Sequence, residues 1–200
     1  MGDGAGPENP AMDRASLRLP VGAAALIFSL AYLASDAIEA LQGGFSTGQL
    51  VLTLVAEAAI PLFVVGLAAV QEPRLGRLGA RAALAYALAY VFFTWTVVYA
   101  LYHGVPDYST LSDELGGWMT LAGATMVLAG LAFGWATIRA GVLPRWTAVA
   151  LMAGVVMVAA SQGAPDVVQL AAAAVRDLGF AGMGAALLAG GPAVARPRLG

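Results

Sequence analysis

The chain has 200 residues, of which 60% are hydrophobic and 11% are charged, and its formal net charge at pH 7 is -2. Soluble domains are roughly 45 to 50% apolar and about 25% charged, so the composition indicates an integral membrane protein, and we expect no nucleic-acid partner. The chain contains no cysteine, no lysine and a single histidine, His103. This excludes thiolate nucleophiles, iron–sulfur clusters, Schiff bases and a multi-histidine metal centre within one chain, so we expect no cofactor and no metal ion.

Six apolar runs follow the N-terminal segment, and each is long enough to cross the hydrocarbon core of a bilayer, which is about 30 Å thick. They are rich in Ala and Leu and lack period-two alternation, which favours helices over strands. In chain order they cover residues 19–41, 48–70, 82–102, 117–139, 146–162 and 167–190. Residues 1–18 have little apolar content, so we expect a disordered cytoplasmic tail, and residues 191–200 are expected to form a second cytoplasmic tail.

A turn phrase that recurs after about sixty residues divides the six runs into pairs. Gly104-Val105-Pro106-Asp107 is echoed by Gly163-Ala164-Pro165-Asp166, and a degenerate copy begins at Gly43. Each copy joins two apolar runs, which predicts three helical hairpins, at residues 19–70, 82–139 and 146–190. The predicted fold is therefore an all-α integral membrane bundle of six transmembrane helices, arranged as three helical-hairpin repeats over residues 19–190.

The arginines predict how this bundle is oriented in the membrane. Nine of the ten arginines lie at the ends of the runs opposite the Gly-Pro-Asp turns, whereas those turns carry acidic residues and no arginine. By the positive-inside rule both termini are cytoplasmic and the turns face outward. The Ala-, Gly- and Arg-rich composition without lysine is typical of a GC-rich bacterial genome, so we expect a multi-pass protein of the bacterial inner membrane.

Charged side chains also occur at membrane depth, where Glu57 and Arg176 each follow the start of a predicted helix by nine residues. At 1.5 Å per residue both lie roughly 13 Å below the outer surface. An unpaired charge at the bilayer centre costs on the order of 2.5 to 3.5 kcal/mol, so we predict that Glu57 pairs with Arg176. Asp177, about 100° further round the helix, is expected to point away from Arg176. The predicted pair of Glu57 and Arg176 could be part of a functional site, or it could be a structural ion pair that fixes the register of the helices.

The first predicted helix adds a polar stripe whose three- and four-residue spacings place four side chains on one face: Ser29, Tyr32, Asp36 and Glu39. Within the membrane layer, Asp36, Glu57 and Asp177 face a single base, Arg176, so at least one acid is underpaired. A carboxyl group in a low-dielectric site tends to keep its proton and can donate it. The sequence thus predicts a polar site between the first, second and last helices, formed by Asp36, Glu57, Arg176 and Asp177. A water-exposed rim is the alternative role for Asp36 and Glu39.

Two active functions are compatible with such a site. A carrier or binding protein would hold a small lipophilic or proton-linked substrate between the first and third hairpins. A membrane-embedded enzyme would instead protonate an isoprenoid-like, lipid-soluble substrate from Glu57, Asp36 or Asp177. Candidate substrate-binding residues are a cation and four rings able to stabilise a carbocation: Arg176, Tyr32, Trp95, Tyr99 and Trp118.

A third hypothesis is a non-catalytic scaffold or accessory subunit of a membrane complex, or a homo-oligomer. Whatever the function, the alternative role for Trp95, Tyr99, Tyr102 and Trp118 is an aromatic belt at the membrane interface. The lipid bilayer is the expected partner in all three cases, and a lipophilic small molecule is the expected ligand of a carrier or an enzyme.

The turn from Arg139 to Trp146 carries the phrase Gly-Val-Leu-Pro-Arg-Trp. In this phrase the chain resembles a broad group of uncharacterised bacterial multi-pass membrane proteins, which have a similar Gly-x-Leu-Pro-Arg-Trp sequence between helices. The resemblance covers about eight residues, and it implies a membrane bundle without indicating an activity.

Overall fold

The structure, a computed structural model, describes residues 10–190, and over that range it contains seven α-helices and no strand. They are α1 (Pro10–Gln42), α2 (Thr47–Gln71), α3 (Gly76–His103), α4 (Tyr108–Leu115), α5 (Gly117–Ala140), α6 (Arg145–Ala160) and α7 (Asp166–Ala189). The predicted all-α class is confirmed. Five of these helices, α1, α2, α3, α5 and α7, are long and apolar enough to cross a membrane.

Several observed helices differ from the predicted elements, and α3 begins at Gly76 where residue 82 was predicted. Helix α1 begins at Pro10, so residues 10–18 of the predicted tail are helical, because proline suits the first helical position and the residues after it tolerate a helix. Residues 1–9 of that tail, and the predicted tail at 191–200, lie outside the described residues. Helix α6 has only 16 residues, which corresponds to about 24 Å and is short of the roughly 30 Å core. Helix α4 was not predicted.

Specific residues end these helices where the chain turns. Gly104 follows α3 and Gly141 follows α5, both in the left-handed conformation, with φ of 66° and 62°. Glycine adopts this conformation without steric cost, which is why it so often terminates helices. At the start of α2 the side chain of Ser46 accepts a hydrogen bond from the backbone N–H of Gln49 at 3.4 Å, and this caps the helix.

The six longer helices form a closed ring in which each one packs on the next. The contacts run from α1 to α2, α3, α5, α6 and α7, and α7 returns to α1. Large apolar side chains project outward from all six, as expected of surfaces that face lipid; examples are Ile27, Leu62, Leu88, Leu128, Val149 and Leu178. Helix α4 lies beside the start of α5.

The larger apolar core lies at the end of the bundle where α2 joins α3 and α5 joins α6, and a smaller buried cluster that includes Leu50, Val97 and Leu111 lies toward the opposite end. The largest buried side chains of the larger core are aromatic, and Phe180 lies at its centre. The ring of Phe180 packs edge-on against Phe63, with 5.4 Å between centroids, and is tilted against Tyr86 at 5.7 Å. The opposite half of the ring, where the Gly-Pro-Asp turns lie, contains the cavity described below.

Glycines allow the helices to approach closely around this core. A Cβ atom added at Gly154 of α6 would overlap the backbone of Arg176 on α7, and one at Gly184 of α7 would lie 2.6 Å from the carbonyl oxygen of Gly22 on α1. Gly130 and Gly134 lie close to α6, where an added Cβ atom would meet Val155 and Met152. The close crossing at Gly154 places the backbone of Arg176 directly against α6 and so fixes its position.

Candidate functional site

A cavity of about 800 Å³ occupies the half of the ring that the larger apolar core leaves open. All seven helices contribute to its lining. Tyr32, Glu57 and Arg176 are at its deep end, and Glu39 and Asp166 are near its mouth. Glu57 and Arg176 are each ten residues from the start of their helices, so the cavity extends roughly 15 Å into the bundle.

The cavity also opens sideways between α5 and α6. Ala124 and Leu128 of α5 and Ala159 of α6 line it and yet are exposed, with Leu128 at 69%. The two helices are in contact farther from the turns, but a Cβ atom added at Gly123 would have no neighbour within 4 Å. We infer from these exposed lining residues that α5 and α6 separate near the turns, and the three residues around this side opening are apolar.

Arg176 holds two carboxylates at the deep end of the cavity. Its Nε donates to Asp177 Oδ1 at 2.8 Å and its Nη2 donates to Asp177 Oδ2 at 3.1 Å, which is a bidentate pair. The same Nη2 lies 3.4 Å from Asp36 Oδ2. Arg176 and Asp177 are only 4% and 2% exposed. The expectation that Asp177 points away from Arg176 is therefore wrong, because the long arginine side chain folds back along its own helix to reach it.

Tyr32 links Arg176 to Glu57. The guanidinium carbon of Arg176 lies 4.7 Å from the centroid of the Tyr32 ring, in cation–π geometry. The hydroxyl of Tyr32 donates to Glu57 Oε1 at 2.6 Å. The predicted ion pair between Glu57 and Arg176 is replaced by this arrangement, because Asp177 and Asp36 take the guanidinium and a tyrosine hydroxyl takes the carboxylate.

A second polar group lies between Glu57 and the mouth. The amide Nε2 of Gln49 donates toward Ser35 Oγ at 3.1 Å, Thr53 Oγ1 at 3.0 Å and Glu39 Oε2 at 3.3 Å. The hydroxyls of Ser35 and Thr53 also hydrogen-bond to each other. Gln49, Thr53 and Glu57 are spaced by four residues on α2, which places them on one helical face, and they form one polar wall of the cavity.

Two buried oxygens on this wall have no hydrogen-bond partner, Glu57 Oε2 and Gln49 Oε1. Glu57 and Gln49 are each 3% exposed and line the cavity. A carboxylate can only accept, so the contact with Glu39 fixes which end of the Gln49 amide carries the N–H donors. At least one acid was expected to be underpaired, and Glu57 is such an acid. Tyr32 donates to one oxygen of Glu57, and the other oxygen is free to accept.

The predicted site residues divide between this cavity and other places. Asp36, Glu57, Arg176 and Tyr32 are brought together at its deep end. Asp177 lies behind Arg176 and does not line the cavity. The remaining three, Trp95, Tyr99 and Trp118, also lie outside the lining: Trp95 and Trp118 are 49% and 66% exposed, and the Tyr99 ring stacks on His103 with 4.2 Å between centroids. Their positions face outward or toward the turns, so a substrate-binding role at this cavity is not supported.

Other aromatic residues border the cavity in their place. Tyr90 and Phe93 of α3 and Tyr108 of α4 line it. The ring of Tyr90 lies 6.4 Å from that of Tyr32 and 5.2 Å from that of Tyr86, so a row of tyrosines separates the cavity from the apolar core. The spacing of Tyr86, Tyr90 and Phe93 by four and three residues, which marks one helical face, could have identified this row.

Among the described residues there is no group of three or more His, Cys, Asp or Glu side chains that could hold a metal ion. Comparisons with protein-family models, with curated proteins and with solved structures found no match to the chain. The site is therefore interpreted from its own geometry and chemistry.

Proposed function

We propose that the chain is a multi-pass protein of the bacterial inner membrane that binds a small lipophilic molecule with a polar end, as a carrier or binding protein. The observation that carries this proposal is the cavity of about 800 Å³, which has an apolar side opening and ends on buried polar groups. Small-molecule sites typically have this size, an apolar and aromatic lining and a few converging polar groups. The hydrocarbon part of the ligand would occupy the α5 side, and its polar end would reach Glu57.

The proposal includes six membrane spans in three hairpins, with both termini in the cytoplasm. The arginines near the helix ends support this orientation, since they lie at the end of the bundle opposite the cavity mouth; they are Arg18, Arg74, Arg77, Arg81, Arg139 and Arg145. Helix α6 would cross despite its 16 residues, because a short hydrophobic stretch is accommodated by local thinning of the bilayer at modest cost. The cavity would then open to the outer face, and its side opening would face lipid.

The other hypotheses draw less support from the cavity. An acid-catalysing enzyme would use Asp36, whose side chain is 22% exposed, or Glu57, but only Tyr32 among the four rings predicted to stabilise a carbocation lines the cavity. Buried polar groups are costly unless they are paired. The scaffold hypothesis, which involves no ligand, does not explain why charged groups border a cavity rather than a packed core. Binding is therefore the function that we propose.

The test is to fill the cavity and measure binding of a neutral lipophilic probe, 2-naphthylmethanol. The protein would be reconstituted in lipid nanodiscs and titrated in a calorimeter, with empty discs as the baseline. Gly123→Leu places a side chain into the cavity from a position where an added Cβ meets nothing within 4 Å. Gly117→Leu is the matched control, because it lies on the same helix, is equally unobstructed and does not line the cavity.

We expect Gly123→Leu to weaken probe binding by about tenfold or more, as the loss of about 1.4 kcal/mol of contact energy would do. Gly117→Leu should bind as the unmodified protein does. Equal binding by both variants would show that the cavity is not a lipophilic site.

A further inference from the structure

Three of the described residues that line the cavity have a buried oxygen without a partner: Glu57 Oε2 and Gln49 Oε1 are acceptors, and the hydroxyl of Tyr90 can donate or accept. Glu57 Oε2 and Gln49 Oε1 each lack a hydrogen bond, although their residues are only 3% exposed. An amide oxygen cannot donate, and neither can the carboxyl group of Glu57 in its ionised form, so both oxygens then require a donor on any group that fills the space beside them. An acceptor buried without a partner is costly, and a ligand that donates to it recovers that cost on binding.

The protein supplies little positive charge to this space. The lining contains four acidic residues, Asp36, Glu39, Glu57 and Asp166, and among its members Arg176 is the only basic residue. The guanidinium of Arg176 is already engaged by Asp177, Asp36 and the face of the Tyr32 ring. The cavity as a whole therefore favours positive charge and disfavours an anionic ligand.

The lining also contains aromatic and apolar surfaces that can contact the other parts of a positively charged ligand. Aromatic rings of Tyr32, Tyr90 and Phe93 lie at the level of Glu57, where they can attract a cation through their faces. On the other side, α5 presents the apolar side chains of Met126 and Val127. These surfaces suit an apolar body attached to a compact charged group.

From these contacts we propose that the ligand is a lipophilic organic amine, bound as an ammonium whose N–H donates to Glu57 Oε2. Its apolar body lies along α5, and any further donor on it reaches Gln49 Oε1, which is two helical turns closer to the mouth. This inference rests on the proposed binding function and specifies the chemical class of the ligand.

The test compares three probes of nearly equal shape: 2-naphthylmethylamine, 2-naphthylmethanol and 2-naphthoate at pH 7. Their binding to the unmodified protein in nanodiscs would be measured by calorimetry. A hydrogen bond to a charged group contributes enough for a difference of about tenfold or more in affinity, so the amine should bind at least that much more tightly than the alcohol. The carboxylate should bind more weakly than both.

Two variants test the role of Glu57. Glu57→Gln keeps the shape of the side chain and removes its charge, so it should weaken amine binding by about tenfold and change alcohol binding by less than about threefold. The control is Asp113→Asn, which removes a carboxylate that is exposed on α4 and outside the cavity lining; it should change neither. If Glu57→Gln does not fold, the comparison of probes on the unmodified protein still decides the question.

The outcomes separate the two proposals. If the alcohol or the carboxylate binds as tightly as the amine, and Gly123→Leu still blocks it, the cavity is a lipophilic site and the inference of an amine is wrong. If none of the three probes binds, or if Gly123→Leu has no effect on any of them, the proposed function itself is wrong.

Discussion

Arg176 and Asp177 form a buried, bidentate ion pair, with donor–acceptor distances of 2.8 and 3.1 Å. Removing one member of such a pair leaves an uncompensated charge, which typically costs about 3 to 5 kcal/mol. We expect Arg176→Gln to destabilise the protein by about this amount, and Asp177→Asn in the Arg176→Gln background to cost much less than it does alone. Unfolding of the purified protein in detergent, followed by circular dichroism, measures both.

Glu57 provides a comparison for this double-mutant cycle of Arg176 and Asp177. Because Tyr32 and not Arg176 donates to its carboxylate, Glu57→Gln should couple with Arg176→Gln more weakly than Asp177→Asn does. A coupling energy larger for Glu57 than for Asp177 would contradict the arrangement described and would favour the direct pair predicted from the sequence.

Tyr32 makes two contacts that can be removed separately. Tyr32→Phe removes the hydroxyl that donates to Glu57 Oε1 at 2.6 Å and keeps the ring against Arg176. The loss leaves both oxygens of Glu57 without a donor, so we expect a destabilisation of about 1 to 3 kcal/mol. Tyr32→Leu removes the ring as well and should cost about 0.5 to 2 kcal/mol more. Equal stability of the two variants would show that the cation–π contact contributes nothing.

At this scale the sequence predicted where the charged residues lie but not what they bind. Counting residues from the start of a helix gives the depth of a residue in the bundle. Glu57 and Arg176 do lie together at the deep end of one cavity. Depth does not specify the direction of a long side chain. Arg176 has enough reach to contact Asp177, and Tyr32, predicted as part of the polar stripe and as a ring for a substrate, takes the place beside Glu57.

The crossing of α6 and α7 depends on a glycine, and its effect can be isolated. Gly154→Ala places a methyl group onto the backbone of Arg176, so the helices must separate, which typically costs about 1 to 3 kcal/mol. Gly123→Ala is the control on α5, where an added Cβ meets no atom within 4 Å. We expect it to be neutral or stabilising, because alanine favours a helix over glycine by up to about 1 kcal/mol. The same unfolding assay compares them, and equal stabilities would contradict the close crossing.

Helix α4 depends on its N-cap. Asp107 Oδ1 accepts from the backbone N–H of Thr110 at 2.8 Å and from the hydroxyl of Ser109 at 2.6 Å. These bonds favour the carboxylate and hold the pKa of Asp107 below its usual value. Since the folded pKa is lowered, the contribution of the cap is fully present above the usual aspartate pKa and is lost as the pH falls through the lowered value. We therefore expect α4 to stay protected at pH 5 and to fray below about pH 4.

Hydrogen exchange measures this prediction, with rates divided by the intrinsic rate at each pH. Asp107→Ala should increase exchange at the amides of Thr110 and Leu111 at pH 7. Asp113→Ala, an exposed change in the same helix, should leave these amides unchanged. Protection of α4 that does not depend on Asp107 would show that packing of Leu111, which is 3% exposed, holds the helix alone.

On the scale of the whole molecule, the helix positions could be predicted and the closure of the ring could not. Length and apolar composition determine where a membrane helix begins and ends, and the six predicted runs each correspond to an observed helix. The ring depends instead on which faces pack, and small residues such as Gly154 and Gly184 decide this through contacts with distant parts of the chain. Helix α4 escaped prediction because its eight residues are mostly polar and read as part of a loop.

The proposed orientation predicts which end of the ring is reached from outside the cell. The chain has no cysteine, so a single introduced cysteine reports one position without background. Thr47→Cys, at the exposed start of α2 beside the cavity mouth, should be labelled by a membrane-impermeant maleimide on intact bacterial cells. Arg74→Cys, exposed in the turn between α2 and α3, should be labelled only after the cells are opened.

The two positions lie at opposite ends of α2, so they must be labelled from opposite sides if α2 spans the membrane. In the proposed orientation the turn with Arg74 is cytoplasmic, because translocating a cluster of positive charges is disfavoured. Labelling of Arg74→Cys alone on intact cells would reverse the orientation and open the cavity to the cytoplasm. Labelling of both would mean that α2 does not cross the bilayer, and the membrane part of the proposed function would then be wrong.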